Sequence, residues 1–247
     1  MRQSIELIAK FPTIIAYAYN IYRHSVQGRS LHICHPRENL SIAENFLYMM
    51  KHENYSELDA RMLDLLLIIQ AEHGGANIKV INMFHHLKEA IKDWKNVQEL
   101  DIYLKRMLNK EAYDKTGLIY GIGHAVYTLS DPRAVELKRL AGELAKEKGR
   151  EDEYEFLKLI EQEGIKCLQE HRGGSKPACA NLDFYSGFIY EMIGLPQEIY
   201  TPIFAMARIV GWTAHRIEEL NFEGRRIIRP AYKNILGELD YTPIDER

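Results

Sequence analysis

The stretch SELDARMLDLLLIIQ, residues 56–70, decides the fold class. Ser56 is followed three residues later by an acid, Asp59. This spacing is typical of a capping box, in which both side chains bond backbone N–H groups at a helix start. The segment's own residues are apolar on nearly every face of the helix, which indicates a buried helix rather than a surface one. The sequence therefore predicts a helix in the centre of the core.

The segments on either side of this helix carry the same kind of signal. SIAENFLYMMKH begins with Ser41 and Glu44, again at capping-box spacing. DPRAVELKRLAGELAKEKG places Asp131 as a helix cap and Pro132 at the first helical position, where proline is favoured. The charged run at 145–153 is typical of an exposed turn between two helices. Because strand-like alternation is absent, we predict an all-α fold.

Composition excludes several classes of protein. The chain has 247 residues, of which 46% are hydrophobic and 27% charged, as in an ordinary globular protein. Its net charge of -3 provides no basic field for nucleic acid or an anionic membrane surface. The longest apolar run, residues 65–69, is too short to span a bilayer, and the N-terminus lacks a signal-peptide core. Three cysteines without paired spacing favour a reducing compartment, and we expect a cytoplasmic location.

Two histidines stand beside glycines. GIGHAV, which holds His124, begins like a dinucleotide-binding fingerprint, but Val126 occupies the place of the third glycine and no strand precedes it. The segment is either a tight turn or a place where the backbone approaches a ligand closely. Taken by itself, the motif favours the tight turn. His73, before Gly74 and Gly75, either caps the preceding helix or belongs to a site.

An acid and an arginine occur in apolar surroundings. Asp183 in ANLDFYSG either caps the next helix or acts as a general base whose pKa is raised by burial beside aromatic rings. Arg208 in IFAMARIVGW needs an internal acid partner or an anionic ligand, because arginine is rarely buried unpaired. Together with the two histidines, these residues predict a site for a small anionic substrate and carbonyl chemistry.

The remaining histidines and cysteines do not indicate a metal site. His32, Cys34 and His35 are close in sequence, and His85 and His86 are adjacent. Neither group has a second cluster at the spacing of known zinc sites. Structural or solvent-facing roles are therefore favoured, and we predict no metal.

These segments together resemble the citrate synthase family. The matching stretches are IAKFPTIIAYAY, PRENLSIAENFLYMM, HGGANIKV, GIGHAVYTLSDPRA and the run from NLDFYSG through FAMARIVGWTAHRIEEL to IIRP. The resemblance implies a helical two-domain fold with the active site in the cleft between domains, and a homodimer. By this resemblance, residues 1–75 are part of the large domain, residues 76–214 are mainly the small domain, and residues 215–247 return to the large domain.

The resemblance also implies roles for individual residues. Asp183 would remove a methyl proton from acetyl-CoA, His73 would donate to the enol oxygen, and His124 would polarise the ketone of oxaloacetate. The substrate carboxylates would be bound by Arg133, Arg208 and Arg229, the last one in the partner subunit's site. Coenzyme A contacts would fall on Ile119, Tyr120, Gly121, Ile122 and Gly123. Coenzyme A enters as a cosubstrate, and no tightly bound cofactor is implied.

The chain departs from the family pattern at QAEHGGANIKV, residues 70–80. Family members carry two HGG-type motifs. Here LLLIIQAEHGG resembles the approach to the first motif, and ANIKVINMF resembles the exit from the second. We therefore expect an internal deletion joined at HGG, and a missing N-terminal part of the large domain. The lost helices would lie near the dimer interface, so the deletion puts the dimer in doubt.

Two alternatives to a citrate synthase remain open. One is a non-catalytic remnant that binds coenzyme A or a partner chain. The other is a 2-methylcitrate synthase, which uses propionyl-CoA with the same residues. The sequence alone does not distinguish an acyl pocket for acetyl-CoA from one for propionyl-CoA.

Overall fold

The fold is built entirely from helices in the part of the chain that can be described. A computed structural model describes residues 1–71, 77–124, 127, 129–174, 177–221 and 243. Its helices are α1 (Arg2–Gln27), α2 (Ile42–Lys51), α3 (Glu57–Ile69), α4 (Asn77–Ala90), α5 (Val97–Leu108), α6 (Pro132–Lys148), α7 (Glu151–His171), α8 (Asp183–Met192) and α9 (Tyr200–Asn221), with a 3₁₀ turn at Gln197–Ile199. The all-α prediction is confirmed. None of these helices is long and apolar enough to cross a lipid bilayer.

The predicted helix starts are confirmed. Ser41 and Ser56 each accept from the backbone three residues on, and the acid at that position bonds back to the serine N–H. The Asp131 side chain accepts from the N–H of Arg133 at the start of α6. At the other end of α6, Gly149 adopts a left-handed conformation with φ 65° and turns the chain into α7. These elements form where they do because each start or stop is satisfied locally.

The helices pack in two groups that meet around α8. Helices α1, α2, α3 and α9 contact one another, whereas α4, α5, α6 and α7 pack with α8 or with each other. Contacts of α3 with α6 and α8, and of α4 with α9, join the groups. The predicted domain boundary at 214–215 falls within α9, which continues unbroken to Asn221. The domain limits remain predictions.

Helix α8 lies at the centre of the packing. All of its residues except Glu191 are buried, including Phe184, Tyr185 and Tyr190. A Cβ on Gly187 would lie 2.9 Å from the carbonyl oxygen of Asn77, so the start of α4 approaches the α8 backbone closely. Because only glycine leaves that space, the contact fixes where α4 begins relative to α8.

Asp59 ties α3 to the end of α6. Its carboxylate accepts from the N–H of Ser56 at 3.1 Å and pairs with the Lys148 ammonium at 2.8 Å, while only 2% of its side chain is exposed. Lys51 adds a hydrogen bond to the Ile193 carbonyl at 2.6 Å, just after α8. One buried acid therefore completes a helix cap and an ion pair between the two groups of helices.

Replacing Asp59 with alanine should lower the free energy of unfolding by about 2 to 3 kcal/mol, since the change removes a helix cap and leaves Lys148 without its buried partner. Urea unfolding followed by circular dichroism measures this loss. Asp64→Ala is the matched control, because Asp64 lies exposed on the same helix and should change stability by no more than about 0.5 kcal/mol. Equal losses in the two variants would contradict the role given to Asp59.

Candidate active site

A short antiparallel contact brings two distant motifs together. Ile122 of GIGH forms an isolated β-bridge with Ala180 of ANLD. The Gly123 N–H donates to the Cys179 carbonyl at 2.7 Å, and the Asn181 N–H donates to the Gly121 carbonyl at 2.8 Å. His124 directly follows one side of this bridge, and Asp183 begins α8 just after the other side. Two of the predicted catalytic residues therefore extend from one hydrogen-bonded unit.

The side chain of Asn181 strengthens this unit. Its Nδ2 donates to the Gly123 carbonyl at 3.0 Å, and its Oδ1 accepts from the Asp183 N–H at 3.0 Å. Asn181 thus supplies the hydrogen bond at the start of α8, and Asp183 is the first residue of that helix, with 5% of its surface exposed. Asn181 was not among the residues predicted from the sequence. Its place two residues before a buried acid, typical of Asn at helix starts, was the available signal.

Gly121 allows the GIGH segment to approach α8. It has φ 81°, in the left-handed region, and a Cβ there would lie 2.9 Å from side-chain atoms of Phe184 and Val80 and 3.1 Å from the Phe184 Cα. Ile122 turns inward against Gly164 of α7, where glycine again leaves room for its side chain. Gly121 therefore brings the loop within van der Waals reach of Phe184, the residue next to Asp183, and Gly164 accommodates the Ile122 side chain on α7.

His124 and Arg133 form a second part of the site. The Tyr127 N–H donates to His124 Nδ1 at 3.0 Å, so a neutral His124 carries its proton on Nε2. That Nε2 lies 3.3 Å from Nη2 of Arg133. Both groups are then donors that cannot bond each other, and neighbouring imidazole and guanidinium donors suit an acceptor such as a ketone or carboxylate oxygen. Tyr127 lies beneath both, its ring centroid 4.7 Å from His124 and 5.7 Å from the Arg133 Cζ.

Asp131 fixes the orientation of Arg133. Its two oxygens accept from Nε at 3.0 Å and from Nη2 at 2.9 Å, and Asp131 is only 1% exposed. The sequence predicted Asp131 as a helix cap, and the structure adds this second contact. Because a two-point pair holds the planar guanidinium rigidly, Arg133 is oriented before any ligand arrives.

Cys179 lies beside these groups but is not set up as a nucleophile. Its thiol donates to the Tyr127 carbonyl at 3.5 Å. Burial raises the pKa of the Cys179 thiol, so the neutral form is favoured at physiological pH. Cys179 therefore contributes packing and a weak hydrogen bond.

Some of the other predicted site residues have contacts in the structure, and others lie outside the described residues. Tyr120 donates from its hydroxyl to Asp114 at 2.6 Å, and the neighbouring Ile119 is buried. Arg208 is half-buried on α9, and its Nη1 donates to the Ala71 carbonyl at 3.2 Å. His73 and Arg229 lie outside the described residues. Their roles remain predictions.

The histidines and cysteines that the sequence did not favour as metal ligands make other contacts. His85 bonds Glu191, His86 bonds the Tyr103 hydroxyl at 2.7 Å, and Cys34 lies 3.3 Å from Nδ1 of His52. Across the described residues, no group of three His, Cys, Asp or Glu side chains is arranged to hold a metal ion.

Comparison with known proteins identifies the family. The model of the citrate synthase C-terminal domain matches residues 1–75 and again residues 72–231. The chain belongs to the citrate synthase family. Its relatives include the citrate synthase of Synechocystis sp., 31% identical over 98% of this chain and 64% of the relative, and that of Haloferax volcanii, 31% identical over 100% of this chain and 68% of the relative. This chain thus spans about two thirds of the relatives' length.

Solved structures agree with this assignment. The citrate synthase of Pyrobaculum aerophilum aligns with a TM-score of 0.73 and 29% identity, over 100% of this chain and 64% of that one. A citrate synthase from Thermoplasma acidophilum, solved in ternary complex with carboxymethyl coenzyme A and oxaloacetate, aligns with a TM-score of 0.63 and 26% identity, over 99% of this chain and 68% of that one.

The matches also bear on the HGG stretch. The two segments matched by the family model overlap at residues 72–75, which include His73. The alignment with the Synechocystis relative extends over 281 residues, at least 34 more than the 247 of this chain. Residues present in the relative are therefore absent here. The overlap at residues 72–75 is what an internal deletion joined at HGG would produce.

Replacing Gly121 with alanine should lower the free energy of unfolding by about 2 to 4 kcal/mol, because a Cβ would both strain the backbone and press on Phe184. Gly149→Ala is the matched control, since Gly149 also has positive φ but no atom within 4 Å of the added Cβ. It should cost only about 1 kcal/mol. Thermal unfolding of both variants measures the difference, and equal costs would rule out the predicted contact with α8.

Proposed function

We propose that this chain catalyses the citrate synthase reaction, in which acetyl-CoA, oxaloacetate and water give citrate and coenzyme A. The observation that carries the proposal is the hydrogen-bonded unit of Ile122, Ala180 and Asn181, from which both His124 and Asp183 extend. A buried carboxylate and a histidine held in one unit suit the removal of a proton next to a carbonyl and the polarisation of a second carbonyl.

Each step has a residue that fits it. The Asp183 carboxylate takes a proton from the methyl carbon of acetyl-CoA, and the electron pair moves to the thioester oxygen, where a donor such as His73 stabilises the enol. The enol carbon attacks the ketone carbon of oxaloacetate while the thioester carbonyl re-forms, and the His124 Nε2–H stabilises the negative charge that develops on the ketone oxygen by a hydrogen bond. The proton taken up by Asp183 returns through solvent to this oxygen, which becomes the hydroxyl of citryl-CoA. Water then cleaves the thioester of citryl-CoA, which releases coenzyme A as the thiol.

Recognition of oxaloacetate follows from the charge of the two carboxylates. Arg133, oriented by Asp131, stands beside His124 and suits the carboxylate next to the ketone. Arg208 and Arg229 are proposed for the remaining carboxylate contacts. The segment at 119–123 is proposed for coenzyme A, with its glycines allowing a close backbone approach. A cytoplasmic location completes the proposal, whereas the homodimer is implied only by the family resemblance, from which this chain departs at the HGG stretch.

Purified chain should release thiol from acetyl-CoA only when oxaloacetate is present, as followed with a thiol-reactive chromogenic reagent. Asp183→Asn should lower kcat on the order of 10³-fold, because the amide cannot accept the methyl proton. Asp64→Asn, on an exposed surface, serves as the control and should leave the rate unchanged.

The same assay separates the alternatives. A fully active Asp183→Asn variant would rule out the assigned base. A folded chain that binds coenzyme A but releases no thiol is the result expected for a non-catalytic remnant. A higher kcat/KM with propionyl-CoA than with acetyl-CoA would favour 2-methylcitrate synthesis.

A further inference from the structure

Gln70 and Tyr190 form a buried polar pair at the end of α3. Gln70 is the residue that ends this helix, and both side chains are completely buried. The Tyr190 hydroxyl donates to the Gln70 Oε1 at 2.6 Å. Burial raises the pKa of Tyr190, and the charge of Asp183 adds to that rise. Tyr190 is therefore a neutral donor, and it lies close enough to sense the charge of Asp183.

The face of α8 that carries Asp183 also receives the ends of α3 and α4. Asp183, Gly187 and Tyr190 are spaced by four and three residues, so they share one face of the helix. The Asn77 carbonyl packs on Gly187, and Gln70 bonds Tyr190. Gln70 comes three residues before His73 in the sequence, and Asn77 comes four residues after it. Contacts with one helix face thus hold both residues that flank the HGG stretch.

Helix α9 holds the same point from another side. The Ala71 carbonyl accepts from Arg208 Nη1 at 3.2 Å, and a Cβ on Gly211 would lie 2.5 Å from that oxygen. Because Gly211 has no side chain, α9 can pass directly against the carbonyl. The peptide that follows Gln70 is therefore located by α9 as well as by α8.

The Gln70 side chain is costly for stability alone. In the described part of the chain, its Nε2 is buried and has no hydrogen-bond partner. An unpaired buried donor costs about 1 to 3 kcal/mol, whereas an apolar residue of similar size would cost nothing of this kind. A residue that destabilises the fold beside the candidate site indicates a role in function.

We propose that Gln70 and Tyr190 are positioning residues for the condensation: their hydrogen bond holds the end of α3 against the α8 face that bears Asp183. The inference rests on the proposed function, in which Asp183 is the base. The pair does not contact substrate in this scheme. It acts by fixing the orientation of the helix that begins with the base for the methyl proton, to which rates are sensitive.

Tyr190→Phe tests the pair, with Tyr200→Phe as its matched control. Each change removes one buried hydroxyl, and the two rings are neighbours with centroids 5.0 Å apart. The Tyr200 hydroxyl, however, has no hydrogen-bond partner in the described part of the chain. Tyr190→Phe should lower kcat by about 10- to 100-fold with KM values within about twofold. Tyr200→Phe should keep the wild-type kcat.

A double variant separates positioning from general stability. In Gln70→Leu with Tyr190→Phe, both partners become apolar, so no buried polar group is stranded and unfolding stability should recover toward wild type. Positioning predicts that kcat stays low in this stable double variant. A return of kcat together with stability would overturn the inference.

Hydrogen exchange provides a readout that does not need activity. Amides in the peptide covering residues 70–80 should exchange at least about tenfold faster in Tyr190→Phe than in wild type or Tyr200→Phe, because the end of α3 loses its contact with α8. Unchanged exchange with unchanged kcat would overturn the inference. Wild-type chain that releases no thiol would contradict the proposed function, and the exchange contrast would still decide whether the pair holds the end of α3 on α8.

Discussion

The hydrogen bonds of Asn181 are the constraint on which the site depends. One amide side chain joins the carbonyl of Gly123 to the N–H of Asp183, and its backbone N–H bonds Gly121. The loop that carries His124 and the helix that begins with Asp183 therefore cannot move apart independently. The proposed carbonyl chemistry would need its proton acceptor and its polarising donor at a fixed separation, and a short bridge with a bidentate amide supplies such a separation without a sheet.

Helix α8 turns this local constraint into a global one. Its buried face receives the GIGH loop at Phe184, the start of α4 at Gly187 and the end of α3 at Tyr190. Segments far apart in sequence thus converge on ten residues of helix. Glycine at the contact points replaces side-chain packing with backbone packing, which leaves little freedom for the segments to shift. The family relationship, seen over nearly the whole chain, is consistent with a core that tolerates few alternatives.

The features that the sequence predicted correctly depend on residues that are close together along the chain. Capping by Ser41, Ser56 and Asp131 follows from spacing of three residues or fewer, so the helix starts were predictable. Asn181 and Gln70 act across 58 and 120 residues, and periodicity carries no information about such partners. Gln70 had the pattern of an ordinary polar residue at the end of an apolar helix, and only the fold places Tyr190 beside it.

The bridge between Ile122 and Ala180 also has a consequence for the order of folding. Its partners enclose a loop that contains all of α6 and α7, which are joined by the tight turn at Gly149 and can pair early through local contacts. Closing the bridge in a chain without that helical pair would carry a larger entropy cost, since the ends of a long flexible loop must meet. The candidate site is thus expected to be among the last parts to form, so that a partly folded chain would hold much of its helix content before the site is assembled.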